Sequence, residues 1–392
     1  MRHFLNRSNF ELFVEQTIFS FFNFIIVVSM FKELSRIQIA AIGVNLTALY
    51  ALVSIARNLI SGEFTQSKFP SAFIGIENLI RITAVRALRI SPFLVLIMFT
   101  SCLITKLDFE TSAMMVALSI EVMIIDNLRQ IQILYQKLKF MSLNLVISIT
   151  LTVLIFVFID QRNNTSLQFW MITSLLYIFI TYTKYRVFST EKSQTRMKDL
   201  DYVSRNSITV ESFLNHILFY LYTLTFFHLN PTLSGDVRLI TAWVVNSAST
   251  LYFSLNNLYT IKLVNRDSNY DEQKNINYFA FFTLFATGLL FSQCHDSLPI
   301  PQAEFDFWLI AGTCISYLSF FIHSRIAVLF LHDMKSSKFV FYRFLTWSAV
   351  LGQQLVGIYY FGKPGFIFSS ILSLLSVLWI YFLALSNTSL LK

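Results

Sequence analysis

The ionisable side chains inside apolar runs include Glu15, Arg57, Glu121, Asp126, Arg129, Glu211, His323 and Arg325. A charge at the centre of a bilayer costs on the order of 2.5–3.5 kcal/mol on insertion scales, so each is a candidate for a role that offsets that cost. Two kinds of chemistry suit them. Glu15, Glu121, Asp126, Glu211 and His323 can exchange a proton or a cation as their surroundings change, which makes them coupling candidates. The guanidinium groups of Arg57, Arg129 and Arg325 are planar forks that hold an anionic group by charge-assisted hydrogen bonds. Depth weighs these roles against plainer ones. Glu121 stands nearest the middle of its run, with Asp126 and Arg129 following toward one end. Glu15, Glu211, Arg57 and Arg325 lie a turn or two from an end, where snorkelling and anchoring are cheap.

Asn23, Asn45, Gln353 and Gln354 add neutral hydrogen-bonding groups to similar runs. They suit the wall of a polar cavity, and equally the joints between helices. The chain has no Gly-rich phosphate loop, no His-Glu metal helix and no nucleophile elbow, so no catalytic residue is expected. Cys102, Cys294 and Cys314 are scattered, which leaves no spacing for a zinc site. No metal or cofactor is expected.

The elements that must carry these residues are transmembrane helices. Apolar residues make up 55% of the 392-residue chain and charged residues 13%, with a mean hydropathy of +0.60. Runs long enough to cross a bilayer fall at 10–31, 38–60, 88–106, 112–134, 140–159, 168–186, 208–229, 238–261, 276–293, 306–330, 340–361 and 366–386. The polar stretch Val187 to Thr209 divides them six and six. The expected architecture is therefore all-α and integral to the membrane, with about twelve transmembrane helices. They form two six-helix bundles, 1–186 and 210–392, about a central cavity, and 187–209 is a cytoplasmic connector.

The net charge of +8 records topology, not a nucleic-acid partner. With the N-terminus inside, only Lys32, Arg36, Lys106, Arg162, Arg238 and Lys363 of the 30 basic residues lie at outer ends. That bias places both termini in the cytoplasm. Trp170, Trp243 and Trp308 fall where spans enter from the outer side, as an aromatic belt requires. Ser71 to Arg89 is amphipathic, and either lies in the inner interface or extends the third span.

In spans 1 and 2 the residues Glu15-Gln16, Ser20 and Asn23-Phe24 are followed by Ile42-Gly43 and by Arg57 near the inner end. The stretch resembles the opening of polysaccharide flippases, of O-antigen or capsule type, in the multidrug/oligosaccharidyl-lipid/polysaccharide exporter superfamily. It lacks that family's aromatic before Gly43 and the Pro that often follows the second helix. Glu211 begins span 7 as Glu15 begins span 1, which fits the superfamily's two bundles. The resemblance implies a bacterial inner-membrane protein that moves a polyprenyl-diphosphate-linked oligosaccharide outward by alternating access. Arg57, Arg129 and Arg325 would then capture the diphosphate, and Asn23, Asn45, Gln353 and Gln354 would meet sugar hydroxyls. The implied partners are the lipid-linked glycan, membrane lipids, and the glycan polymerase and glycosyltransferases of the same pathway. A multidrug or small-solute antiporter is the alternative. An integral-membrane glycan polymerase fits less well, because every outer loop is short.

Overall fold

The computed structural model describes residues 7–31, 34–60, 76–134, 138–158, 165–187, 203–245, 282–293, 306–333 and 336–386. These residues are helical, joined by short turns, and contain no strand. In chain order the helices are α1 (Arg7–Phe31), α2 (Arg36–Ile60), α3 (Ile76–Ile104), α4 (Phe109–Leu134), α5 (Leu138–Phe158), α6 (Thr165–Val187), α7 (Val203–Leu229) and α8 (Pro231–Ile240). A π-helical turn, Thr241–Val245, continues α8, and α9 (Phe282–Gln293), α10 (Phe307–Asp333) and α11 (Ser336–Ser386) follow. Five helices among the described residues are long and apolar enough to cross a membrane, α11 counted as one. The chain is a multi-pass membrane protein.

Side chains set the helix starts. Ser35 and Gln38 form a capping box before α2, with the Ser35 N–H donating to Gln38 Oε1 at 3.0 Å. Asp108 accepts from the Thr111 N–H at 2.8 Å, Asn230 from the Leu233 N–H at 3.0 Å and Asp306 from the Leu309 N–H at 2.6 Å. Each cap lies at an end expected to face outward. The end of α3 is a Schellman turn: the Lys106 N–H donates to Leu103 O and the Leu107 N–H to Cys102 O, both at 3.1 Å. Lys106 takes the left-handed position, φ 56°, where glycine is usual.

Several elements differ from the sequence expectation. The expected start of span 8 at 238 is corrected to 231, because Asn230 caps and Pro231 opens the helix, leaving a single-residue turn after α7. Asp236 and Arg238 are thereby placed within helix α8. The amphipathic segment is helical from Ile76 onward and is continuous with the third span. Of the connector, 188–202 lie outside the described residues and 203–209 are the first turns of α7. Trp170 is 2% exposed, so it does not serve a lipid-facing belt, whereas Trp308 is 65% exposed, as such a belt requires.

Spans 11 and 12 are the two arms of α11, 336–361 and 363–386, which reverse at Gly362, φ 59°. They run antiparallel: the Gln353 amide donates to Ser376 Oγ at 3.0 Å and Ser373 Oγ to Val350 O at 3.3 Å. A Cβ at Gly365 would strike the carbonyl of Gly357, so two glycines let the arms touch.

The chain forms two compact units, one of Met1–Phe19 with Asn45–Phe213 and the other of Ser20–Val44 with Leu214–Lys392. Helices α1 and α2 thus each contribute residues to both. Of the long helices, α2, which the units share, and α4 of the first unit are the inner ones, with 83% and 72% of their most apolar stretches buried, against 28% for α3 and 33% for α6. Hydroxyls and amides join the first unit's helices: Tyr177 donates to Gln132 Oε1 at 3.0 Å, Thr173 to Thr152 at 2.9 Å and Asn144 to Thr181 at 3.3 Å. The core of the second unit is aromatic, with Phe226 stacked on Phe366 at 5.7 Å and Phe219 edge-on to Phe320 at 5.4 Å.

Candidate functional site

The inner helices of the first unit carry its buried charge. On α4, Glu121, Asp126 and Arg129 are 7%, 7% and 6% exposed, and Gln132 is 1% exposed. At 100° per residue these four fall within an arc of roughly 140°, which puts them on one side of the helix over ~16 Å of its length. Asn127 is also buried, on the opposite side, and its amide donates to Met123 O at 2.8 Å.

Arg57 of α2 meets this column. Its Nε donates to Asp126 Oδ2 and its Nη2 to Asp126 Oδ1, both at 2.6 Å. This is the planar, bidentate pairing in which Lys cannot replace Arg. Arg57 keeps 42% of its side chain exposed while Asp126 keeps 9%. The arginine therefore bridges a buried carboxylate and an accessible surface.

Glu121 is different. Its Oε2 is buried with no hydrogen-bond partner among the described residues. An unpaired polar atom in such a place costs more than it stabilises.

Three of the four amides expected to line a cavity are engaged in helix joints. Asn45 is fully buried and donates to Thr105 Oγ1 at 2.7 Å. Gln353 bonds across the arms of α11, and Gln354 accepts from the Tyr222 hydroxyl at 2.6 Å and donates to Ser316 Oγ at 2.7 Å. This is the packing role that the sequence left beside the cavity role. Glu15, Asn23 and Glu211 lie on α1 and α7, and His323 and Arg325 on α10, but their side chains fall outside the described residues. Arg57 and Arg129 belong to the first unit, and Arg325 to the second.

Sequence reasoning passed over Gln132 and Asn127, and it read Arg36 and Arg238 as charges at the outer ends of spans. The Asn230-Pro231 pair was the available signal for the last of these, since a cap followed by proline marks a helix start.

No protein-family model matches the chain, and no curated protein sequence matches it significantly. Solved structures match its fold. A MATE protein in complex with MaD3S superposes with a TM-score of 0.61 at 10% identity, over 97% of this chain and 96% of that one. An outward-facing multidrug resistance MATE family transporter of the MOP superfamily gives 0.62 at 10% identity, over 97% and 96%. A MOP superfamily transporter from Pyrococcus furiosus Vc1, whose binding pocket has reverse polarity, gives 0.63 at 10% identity, over 97% and 95%. The superfamily that the first two spans resemble is thus the one whose fold the chain shares. These neighbours do not single out its glycan-exporting branch.

Proposed function

We propose that the chain is a bacterial inner-membrane transporter, both termini cytoplasmic, that works by alternating access of two six-helix bundles about a central cavity. Its substrate is a small cationic or amphiphilic solute, exported in exchange for a coupling ion, and no bond is made or broken. The observation that supports this best is the unpartnered carboxyl of Glu121 on the inner helix α4, in a fold shared along 97% of the chain with MATE transporters. A carboxyl of this kind alternates between binding a cation and binding a proton as its surroundings open and close. Asp126, paired with Arg57, is the second coupling candidate.

The test is efflux of a cationic dye from cells that lack their own drug exporters. Expression should lower dye accumulation, and Glu121→Gln should restore it while membrane abundance stays level. Unchanged accumulation across a panel of cationic and neutral dyes would sink this reading.

A second reading, export of a polyprenyl-diphosphate-linked oligosaccharide, is favoured by the motif from Glu15 to Arg57 and by the excess of arginine at inner span ends. Its partners would be the glycosyltransferases and polymerase of that pathway. Restoration of surface glycan in a flippase-deficient host would support it.

A further inference from the structure

Helix α3 presents one continuous strip to its surroundings. At 100° per residue, Arg81, Val85, Leu88, Arg89, Leu96 and Leu103 fall within an arc of roughly 100°. All six are exposed, Leu88 by 70%, Leu96 by 64% and Leu103 by 61%. The helix has 29 residues, ~44 Å at 1.5 Å each, whereas the hydrocarbon core is about 30 Å thick, or about twenty residues. Counted from Ile104 at the outer turn, about twenty residues end at Val85, so Arg89 stands about one turn inside the far edge of the hydrocarbon and Arg81 one turn beyond it. With both termini cytoplasmic, as proposed, that edge is the cytoplasmic one.

Neither of these guanidinium groups is committed within the fold. Arg86, between them, donates from Nη1 to Ile60 O at 3.0 Å, but Arg81 and Arg89 make no hydrogen bond or ion pair among the described residues. The strip supplies no counter-charge either, since the sequence from Arg81 to Ile104 holds no Asp or Glu. A cation turned toward acyl chains is costly, and an arginine lowers that cost by snorkelling back to the headgroup level. Two arginines placed one turn to either side of that level bring their charge to it from both directions.

We propose that this strip binds one anionic glycerophospholipid of the cytoplasmic leaflet, its phosphate held between Arg81 and Arg89 and an acyl chain lying along Leu88, Leu96 and Leu103. A guanidinium offers a phosphate two parallel donors, a pairing that Lys cannot form. A headgroup without an ammonium suits the site best, because a zwitterionic lipid brings a cation beside the arginines. Glu121 and Asp126 are buried whereas the strip is exposed, so this lipid is a partner distinct from the transported solute. Binding would stabilise the folded state with the logarithm of the lipid concentration above Kd.

The test uses the purified full-length protein in detergent, with dioleoyl phosphatidylglycerol or dioleoyl phosphatidylcholine added at equal concentration, read by native mass spectrometry and thermal unfolding. The protein should retain phosphatidylglycerol in preference to phosphatidylcholine, and the unfolding midpoint should rise saturably with the former alone. Because neither arginine bonds to the protein, Arg81→Gln and Arg89→Gln should both fold. Each should raise the half-saturating concentration roughly tenfold, the weight of a hydrogen bond to an ion. Lys192→Gln/Lys198→Gln removes as much charge from the polar connector as Arg81→Gln/Arg89→Gln removes from α3, and it should bind as the parent does. Equal retention of the two lipids, equal loss of binding in the two double variants, or binding of a polyprenyl diphosphate in place of phosphatidylglycerol would each overturn the proposal.

Discussion

Arg36 at the start of α2 and Asp236 within α8, 200 residues apart in the chain, meet at two points, Nε to Oδ1 at 3.3 Å and Nη1 to Oδ2 at 3.4 Å. Gly235 lies so close beneath that a Cβ there would run into the Arg36 carbonyl. The pair is asymmetric, with side-chain exposures of 26% for Arg36 and 9% for Asp236. Arg36→Ala takes a counter-charge from a buried carboxylate and should lower stability, whereas Asp236→Ala leaves a cation that still reaches solvent and should cost less. Thermal unfolding of the two single variants and the double variant checks this. The double should lose less than the sum of the singles, and strict additivity would show that the contact contributes nothing.

The same region has a mechanical consequence. Residues 20–44 belong to the second unit and residues 45–213 to the first, so α2 passes from one to the other at the bond after Val44. Arg36 and Asp236 tie the start of α2 to the second unit. If the pair parts during transport, the exchanged variant Arg36→Asp/Asp236→Arg should keep substantially more transport than either single reversal.

The spans were legible because hydropathy and charge are summed over some twenty residues, and α1 to α7, α10 and both arms of α11 fall where those sums place them. Contacts between distant residues were not. Nothing near Arg36 in the chain names Asp236 as its partner, and a charge counted at an outer span end is half of an ion pair. Arg57 shows the same limit. Its type and depth marked it as a site candidate, yet only the fold brings its guanidinium to Asp126, 69 positions away. Glu121 stood out in the sequence because cost alone singles it out, whatever its neighbours. Trp170 failed because period and position do not say which face of a helix meets lipid.

Lys106 holds a left-handed conformation at φ 56°, which penalises any side chain with a Cβ. Lys106→Gly should therefore stabilise the protein by about 0.5–1 kcal/mol once glycine's greater freedom in the unfolded chain is set against the relief. Lys106→Val should destabilise it. Midpoints of thermal unfolding in one detergent decide the order, and a Gly variant less stable than the parent would contradict it.

Asp306 caps α10 and faces Lys363 at 2.5 Å, just beyond the reversal at Gly362. Partial burial pushes its carboxyl upward, but the hydrogen bond and charge of Lys363 and the Leu309 N–H outweigh it and hold the carboxyl below its ordinary value of 3.8. A lowered folded value means that this stability is fully present above the ordinary value and is lost as pH falls through the folded one. Asp306→Asn, which keeps a capping oxygen but no charge, should flatten the fall in stability between about pH 5 and pH 3. The effect is small because the pair is solvent-exposed. A variant whose acid limb matches the parent would remove the ion pair from the account.

The last prediction separates the two carboxylates of α4 by their partners. Asp126 is held in a bidentate pair with Arg57, so Asp126→Asn should weaken the fork and lower stability, while Arg57→Gln strands a buried carboxylate and should lower it more. Joining the two changes should recover part of the loss, because two neutral amides leave no charge uncompensated. Glu121 has no such bond at Oε2, so Glu121→Gln should leave the unfolding midpoint level or raise it. Its effect should appear in function. In proteoliposomes loaded with a cationic dye, the parent should show efflux that accelerates with an opposing pH or sodium gradient, and Glu121→Gln should lose that acceleration while residual equilibration persists. A Glu121→Gln variant that is destabilised yet still responds to the gradient would make Glu121 a packing residue, and Asp126 would then be left as the coupling group.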